Sequence, residues 1–415
     1  MHEEIVFFVK RRNKTERTAL MHVKGLLHKV MRNTCSSMHQ TRASSLLDCC
    51  EGLLIGQTLT VTAIGRSIQS PIAAKHTIKR ADRLLSNRFL QQEVLGLYGS
   101  LSQLFISGAL RPVILVDWSD LTSTRRHYLL RACLAVKGRP ITLYEEVHTQ
   151  ADGRETHQRF LEQLKRFLHP GAVPIIVADA GFRGTWFRQI EALGWDWVGR
   201  IRGHTLCAWP DSEEWFSCQD LIQQATHHTK HLGSAQIIRN QGIVAELYSL
   251  KRLPKHRRVN NLDGSRSQRR KSLENATREK EPWLIATSLQ HYSAKTIIKY
   301  YALRMQIEES FRDTKNVRYG LSLRLTGTRD TGRLRILMLL AYIVSVLLFI
   351  LGTASEAKGL QYSLQPNTLK HRRVLSVNYL ACLLIRWHKP IKIKYDEIIA
   401  AIQSLRALIL FSELT

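Results

Sequence analysis

Acidic residues are scarce in this 415-residue chain: 34 Asp and Glu stand against 61 Lys and Arg, a formal charge of +27. Such a field draws polyanions, either nucleic acid or an anionic membrane, and argues against an enzyme of small neutral metabolites. Zinc-type cysteine spacing is missing as well. Seven cysteines with no C-x-x-C pair argue against a cysteine-rich zinc module, and their odd number against a disulfide framework. The adjacent Cys49 and Cys50 lie in an apolar stretch and read as packing. A reducing, cytoplasmic setting is expected. The N-terminal apolar run, Ile5 to Val9, is too short for a signal-peptide core. No repeat of solenoid period occurs. The rest is ordinary globular composition, 44% hydrophobic and 23% charged, and the length predicts two to four domains at ~100–200 residues each.

Long uncharged runs are limited to one. Ile336 to Ser355 holds 20 residues without a charge, enough to cross a bilayer, with Arg333 and Arg335 at its edge. It is single, and charged, soluble-looking sequence follows it. A helix buried inside the protein is therefore expected. A basic membrane-associated protein is the alternative.

Residues 1–20 read as an extension, with Met21 as an alternative start, and 21–110 as a helical DNA-binding domain. Within it, LTVTAIGRSIQSPIAAKHTIKRADRLLSN has the cadence of helix, turn, helix. In the second helix Lys75, Lys79 and Arg83 recur at i, i+4 and i+8 and line one face, with Arg80 and Arg88 nearby and Asp82 the lone acid. A solvated charged helix would look the same; the preceding turn favours DNA contact.

A strand grammar follows. RPVILVDWSD, HYLLRACLAV and RPITLYEEV come in succession, then a helix over 155–168, the strand VPIIVADAGF, a helix near 183–193 and the strand GWDWVGRIRG. This order predicts a mixed α/β sheet over 111–203. Residues 204–290 keep period-2 pieces (QIIRN, VAELYSL, WLIATSL) around a basic stretch, Lys251 to Lys280, with eleven Lys/Arg and three Asp/Glu. That stretch reads as a phosphate-contacting loop. Residues 291–334 hold a charged helix, and 335–415 read as helical to the end.

Two apolar strands each end in an aspartate, VILVD at Asp117 and IIVAD at Asp179. A carboxylate there is costly to desolvate without a partner. Asp179 could cap the next helix and Asp117 could orient a loop; two such sites in a basic protein point instead to carboxylates holding a divalent metal. In KYYALRMQIEESFRDTKN, Tyr301, Arg304, Glu308 and Lys315 fall within an arc of roughly 60° on a continuous helix. Glu309 lies about 100° further round and is expected to miss the site. Asp120 reads as a cap or turn residue, and His227, His228 and His231 as a loop cluster rather than metal ligands.

These motifs resemble the YREK-signature insertion-sequence transposases of the DDE class. The resemblance runs from about Leu26 into the C-terminal region and includes TIKRADRLLSN, TLYEE, GWDWVGRIRG, EPWLIAT and RMQIEESFRD. It implies an RNase H-like core of mixed sheet, an all-β insertion near 204–290, and helical domains on either side. It further implies that Asp117, Asp179 and Glu308 bind two Mg²⁺ ions, with Mn²⁺ as a substitute. Tyr301, Arg304 and Lys315 would hold phosphates beside the scissile bond. Trp283 would stack near a displaced base. The activity implied is cut-and-paste transposition by a homodimer on double-stranded DNA, through nicking, hairpin formation, hairpin opening and joining to target. A catalytically silent relative that binds the ends and regulates transposition is the alternative.

Overall fold

The computed structural model describes residues 4–7, 25–28, 30–32, 34–121, 126–151, 153–210, 212–240, 242–253, 281–369, 372–386 and 391–410. Ten strands form one mixed sheet. The apolar run after Pro112 becomes β2 (Val113–Asp120), which heads an antiparallel meander with β3 (Tyr128–Leu134) and β4 (Ile141–His148). On its other side β2 pairs in parallel with β5 (Ile175–Ala178), and β5 in parallel with β6 (Asp196–Arg200). All four residues of β5 are buried, as are the first four of β2, which is why both runs are almost uniformly apolar. Three antiparallel strands followed by two parallel ones are compatible with the RNase H-like core. The parallel register ends at Val116 and Ala178, so Asp117, within β2, and Asp179, just past β5, follow together where that pairing stops.

Two helices follow the sequence pattern closely, α5 (Arg154–Lys165) and α6 (Gly184–Ala192). Phe160, Leu161 and Leu164 are the buried stripe of α5. The 204–290 segment is mainly strand, with one short helix. β7 (Leu206–Ala208), β8 (Phe216–Ser217), β9 (Lys230–Ile237), β10 (Ile243–Leu250) and β11 (Trp283–Thr287) continue the core sheet in the order β6-β11-β10-β9-β7-β8. They are joined to it by antiparallel pairing of β11 with β6, and a short helix, α7 (Cys218–Gln223), lies among them. The QIIRN strand begins earlier than expected, at Lys230, and ends at Ile237. The basic stretch 251–280 lies outside the described residues beyond Leu253.

The N-terminal region is helical, with α1 (Gln40–Gly56), α2 (Val61–Ser67), α3 (Ala74–Leu85) and α4 (Arg88–Ile106). Thr60 caps α2 through its side chain and Asn87 caps α4. Gly65 is where α2 meets α3: a Cβ there would stand 2.4 Å from the Ile78 Cα. No larger residue permits that approach.

The 20-residue apolar run lies in α10 (Thr331–Ala357), whose N-cap is Asp330. Its most apolar 18 residues are 89% buried inside the protein, against α1, α4 and β4 and against α11 (Val377–Arg386) and α12 (Tyr395–Leu410). A helix apolar on every side is stable either in lipid or wrapped by protein. Here protein wraps it. The C-terminal region is not wholly helical, because β12 (Ile391–Lys394) pairs antiparallel with β1 (Glu4–Phe7).

All seven cysteines are free thiols, six buried and Cys35 partly exposed. Burial pushes Cys35, Cys133 and Cys218 up to about 11 and Cys49, Cys207 and Cys382 up to about 12. At pH 8 a thiol titrating near 11 is only roughly one part in a thousand thiolate, the reactive form. Native protein is therefore expected to label slowly with a disulfide reagent, Cys35 first, and denatured protein to label at seven sites. Rapid native labelling at several sites would contradict this packing.

Candidate active site

The charged helix expected over 299–316 is two helices. α8 (Ala294–Leu303) ends and α9 (Met305–Lys315) begins at Arg304, where Arg304 N–H donates to Tyr301 O and Ile307 N–H to Arg304 O, both at 3.1 Å. These are the tighter i→i−3 bonds of a helix terminus, and Arg304 itself keeps right-handed helical backbone angles. Ser293 caps α8 by accepting from Thr296 N–H.

At this junction the Arg304 guanidinium stands among three carboxylates. Its Nη1 lies 2.7 Å from Glu308 Oε1 and 3.7 Å from both Asp117 Oδ2 and Asp179 Oδ2. Asp117 Oδ1 accepts from its neighbour Trp118 N–H at 2.8 Å, and Asp179 Oδ1 accepts from Ala180 N–H at 2.7 Å and from Tyr301 O–H at 3.1 Å. Asp179 does not cap α6, whose N-cap is Arg183. Sequence distances of 62 and 129 residues thus collapse onto one cationic group.

The electrostatics divide the two aspartates. Burial pushes Asp117 up to about 7, opposed by Arg304 and reinforced by Asp179 and Glu308. Burial acts the same way on Asp179, but Arg304, the Ala180 N–H and the Tyr301 hydroxyl outweigh it and hold that carboxyl below its ordinary value. Burial also acts against the charge of Arg304, yet its three carboxylates keep it firmly protonated. The Tyr301 phenol is raised by burial and by Asp179.

Lys315 does not join this cluster. Its Nζ donates to Ser119 Oγ at 2.6 Å, farther along β2, and burial brings it down to about 8. Glu309 misses the site as expected, pairing with Arg139. Trp283 is 8% exposed at the start of β11; its ring meets Tyr301 edge-on at 4.8 Å, and the Arg252 guanidinium sits 4.5 Å from its centroid. The guanidinium thus lies over one face of the Trp283 ring, and the Tyr301 contact packs that ring against a residue of the site. His231 stacks on Tyr248 and pairs with Glu246, while His227 bonds to Lys251 O.

Three carboxylates are the hard oxygen donors that Mg²⁺ or Mn²⁺ takes, so the donor chemistry fits a divalent ion. Their arrangement is not a ready ligand cage: among the described residues no three His, Cys, Asp or Glu side chains stand in coordinating positions, and Arg304 lies among the three carboxylates.

In the N-terminal region Lys75, Lys79 and Arg83 are exposed along one face of α3, and Arg88 is exposed at the start of α4. Arg80 is not on that stripe; it turns inward to pair with the buried Asp48 of α1. Asp82 faces Arg333 at the start of α10, at 2.8 Å, which anchors the basic helix to the core.

Several residues around the site were not singled out from sequence. Arg131, Glu145, Ser310 and Thr314 form a buried network behind α9. A lone arginine inside the apolar run HYLLRACLAV was the available signal.

Residues 108–344, more than half of the chain, match the family of transposase DDE domains, a span containing Asp117, Asp179 and Glu308. No curated protein matches the chain. An aspartate within β2 and another just past the end of the adjacent parallel β5, a glutamate brought to them by a helix, and the family match over this same stretch lead to one conclusion: the chain belongs to the DDE transposase family.

Proposed function

We propose that this transposase is a cut-and-paste enzyme of the YREK group, binding the inverted-repeat ends of its insertion sequence on bacterial DNA. It would nick each end by metal-dependent hydrolysis, close it as a hairpin, reopen it, and join the freed 3′-hydroxyls to target DNA. The observation that carries this reading is the convergence of Asp117, Asp179 and Glu308 on Arg304.

In this reading the three carboxylates hold two Mg²⁺ ions. When bound, these ions supply Lewis acidity at both oxygens of an in-line displacement at phosphorus. The protein's own groups do the rest. Asp117 Oδ1 is committed to the Trp118 N–H and Asp179 Oδ1 to Ala180 and Tyr301, which fixes both carboxylate planes. Arg304, planar and always charged, offers paired donors to a non-bridging phosphate oxygen arriving among the carboxylates. Tyr301, held by Asp179 and braced by Trp283, presents a hydroxyl beside it. Lys315 supplies a further cation along β2. Trp283 would stack near a displaced base, with Arg252 over one face of its ring.

The test is a plasmid carrying the flanking ends, incubated with protein and Mg²⁺ and resolved on a denaturing gel. Hairpin-sized products from the excised element are expected. End binding without any strand breakage would favour the silent, regulatory relative instead. Two protomers per pair of ends are expected by light scattering of the assembled complex.

Lys75, Lys79 and Arg83 serve as phosphate contacts in this reading. Replacing Lys79 and Arg83 by Gln is expected to weaken DNA binding and to flatten its salt dependence, by ~0.9 in the log–log slope for each lost phosphate contact. An unchanged slope in the double variant would move recognition elsewhere.

A further inference from the structure

We infer that Arg131, through Ser310 and Thr314, is a positioning residue that sets the docking of the glutamate helix and so the place of Glu308. The inference rests on the functional reading above.

Glu308 does little to place itself. Its side chain is 40% exposed, and its ion pair is with Arg304, which stands at the end of the same helix. Its location relative to the two aspartates therefore depends on how α9 is seated. One residue of helical slippage moves a side chain by about 1.5 Å along the axis and about 100° around it, enough to remove it from the site.

The seat is built on the face of the sheet that carries Asp117. Across three adjacent antiparallel strands, Asp117, Arg131 and Glu145 lie directly opposite one another, so their side chains share that face. Arg131 is 3% exposed. Its Nε donates to Glu145 Oε2 at 2.6 Å, Nη1 to Ser310 Oγ at 3.0 Å and Nη2 to Thr314 Oγ1 at 3.3 Å. Phe311 places its ring 4.9 Å from the guanidinium carbon. One planar group thus grips two hydroxyls a single turn apart on α9, a fork that a point-charge ammonium does not reproduce. Glu145 is steadied in turn by the Tyr98 hydroxyl at 2.9 Å.

A second arginine holds the neighbouring flank of the helix. Arg139, in the β3–β4 turn, pairs with Glu309 and lies 3.1 Å from Asp313, again an i, i+4 pair. Ser310 with Thr314 and Glu309 with Asp313 are two parallel rungs, each gripped by an arginine from β3 or its turn. Neither arginine touches the reacting atoms.

The test uses the full chain and Mn²⁺ alone as the probe, with Mn²⁺ affinity read by titration calorimetry and folding by thermal melting. Ser310→Ala/Thr314→Val leaves the Arg131–Glu145 pair in place and is expected to lower Mn²⁺ affinity on the order of 10-fold, as lost supporting contacts at metal sites do. Nicking of supercoiled plasmid should then need more Mn²⁺ while its rate at saturating metal changes little, and duplex binding should be unchanged. Arg131→Lys is expected to shift the metal requirement in the same direction. If the double variant does not fold, Arg139→Gln at the more exposed rung decides in its place, with the same expected shift. Wild-type Mn²⁺ affinity and metal requirement in the deciding folded variant would overturn the inference. Asp117→Asn is the control: if it too binds Mn²⁺ as wild type does, the functional reading falls and takes the inference with it. If it loses Mn²⁺ while the rung variants keep it, only the inference falls.

Discussion

Asp117→Asn, Asp179→Asn and Glu308→Gln are each expected to lower Mg²⁺-dependent strand cleavage by on the order of 10³-fold or to background, while DNA binding survives or tightens. The asymmetry follows from charge. Each substitution removes a hard anionic ligand needed for a divalent ion, yet also removes a negative charge that repels phosphate. The fold should tolerate all three, because the amide side chains match the acids in size and Arg304 keeps its other two carboxylates. A gel-shift titration beside a cleavage time course checks both halves. Cleavage at the wild-type rate by any one of the three would remove that residue from the proposed catalytic set.

Arg131→Ala is expected to be the most damaging single change to stability, about 3–5 kcal/mol, as for any buried ion pair stripped of one partner. Glu145 would keep the Tyr98 hydroxyl but lose the guanidinium, leaving a carboxylate 4% exposed without a counter-charge. Ser310 and Thr314 would lose their donor at the same time. Replacing Arg131 and Glu145 together by Met and Leu is expected to recover much of that loss, because a buried pair exchanged for apolar side chains of similar volume is often neutral. Denaturant melts of the single and double variants measure this directly. If the double variant falls as far as Arg131→Ala, the cost lies in the lost grip on α9 rather than in the unpaired charge.

The core strands were legible because their composition has one explanation. VILVD and IIVAD are short, β-branched and apolar up to an acid, and buried parallel strands look like that. The helix-turn-helix cadence was legible for a similar reason, with apolar spacing interrupted by a Pro-containing turn and Gly65 at the crossing. The segment over 204–290 was harder. Period-2 alternation identifies strands but not the sheet they join, and the pairing of β11 with β6 is a long-range choice no local pattern encodes. The break at Arg304 was hidden as well, since RMQIEES is good helix sequence and Arg304 itself keeps right-handed helical backbone angles.

Among candidate residues, Asp117, Asp179, Glu308, Tyr301 and Arg304 meet as the motifs implied, whereas Lys315, Arg80 and Trp283 take other partners. Helical offsets give direction but not reach. Lys315 has the right azimuth, yet it lies eleven residues beyond Arg304 and finds Ser119 first. Arg80 belongs to the basic helix, but Asp48 on α1 claims it.

Taken alone, the amino-acid order narrowed the partner to a polyanion and marked the candidate acids: an excess of cations, and aspartates closing apolar runs with a glutamate on a charged helix. Those are local properties of charge and period. Tertiary structure alone decided which cations stay free and how the glutamate reaches the aspartates. It buried a polar network under α9, wrapped the apolar helix in protein instead of lipid, and placed one arginine among three acids. Each of those outcomes depends on desolvation and on partners far apart in the chain, so each is settled only when the chain is packed.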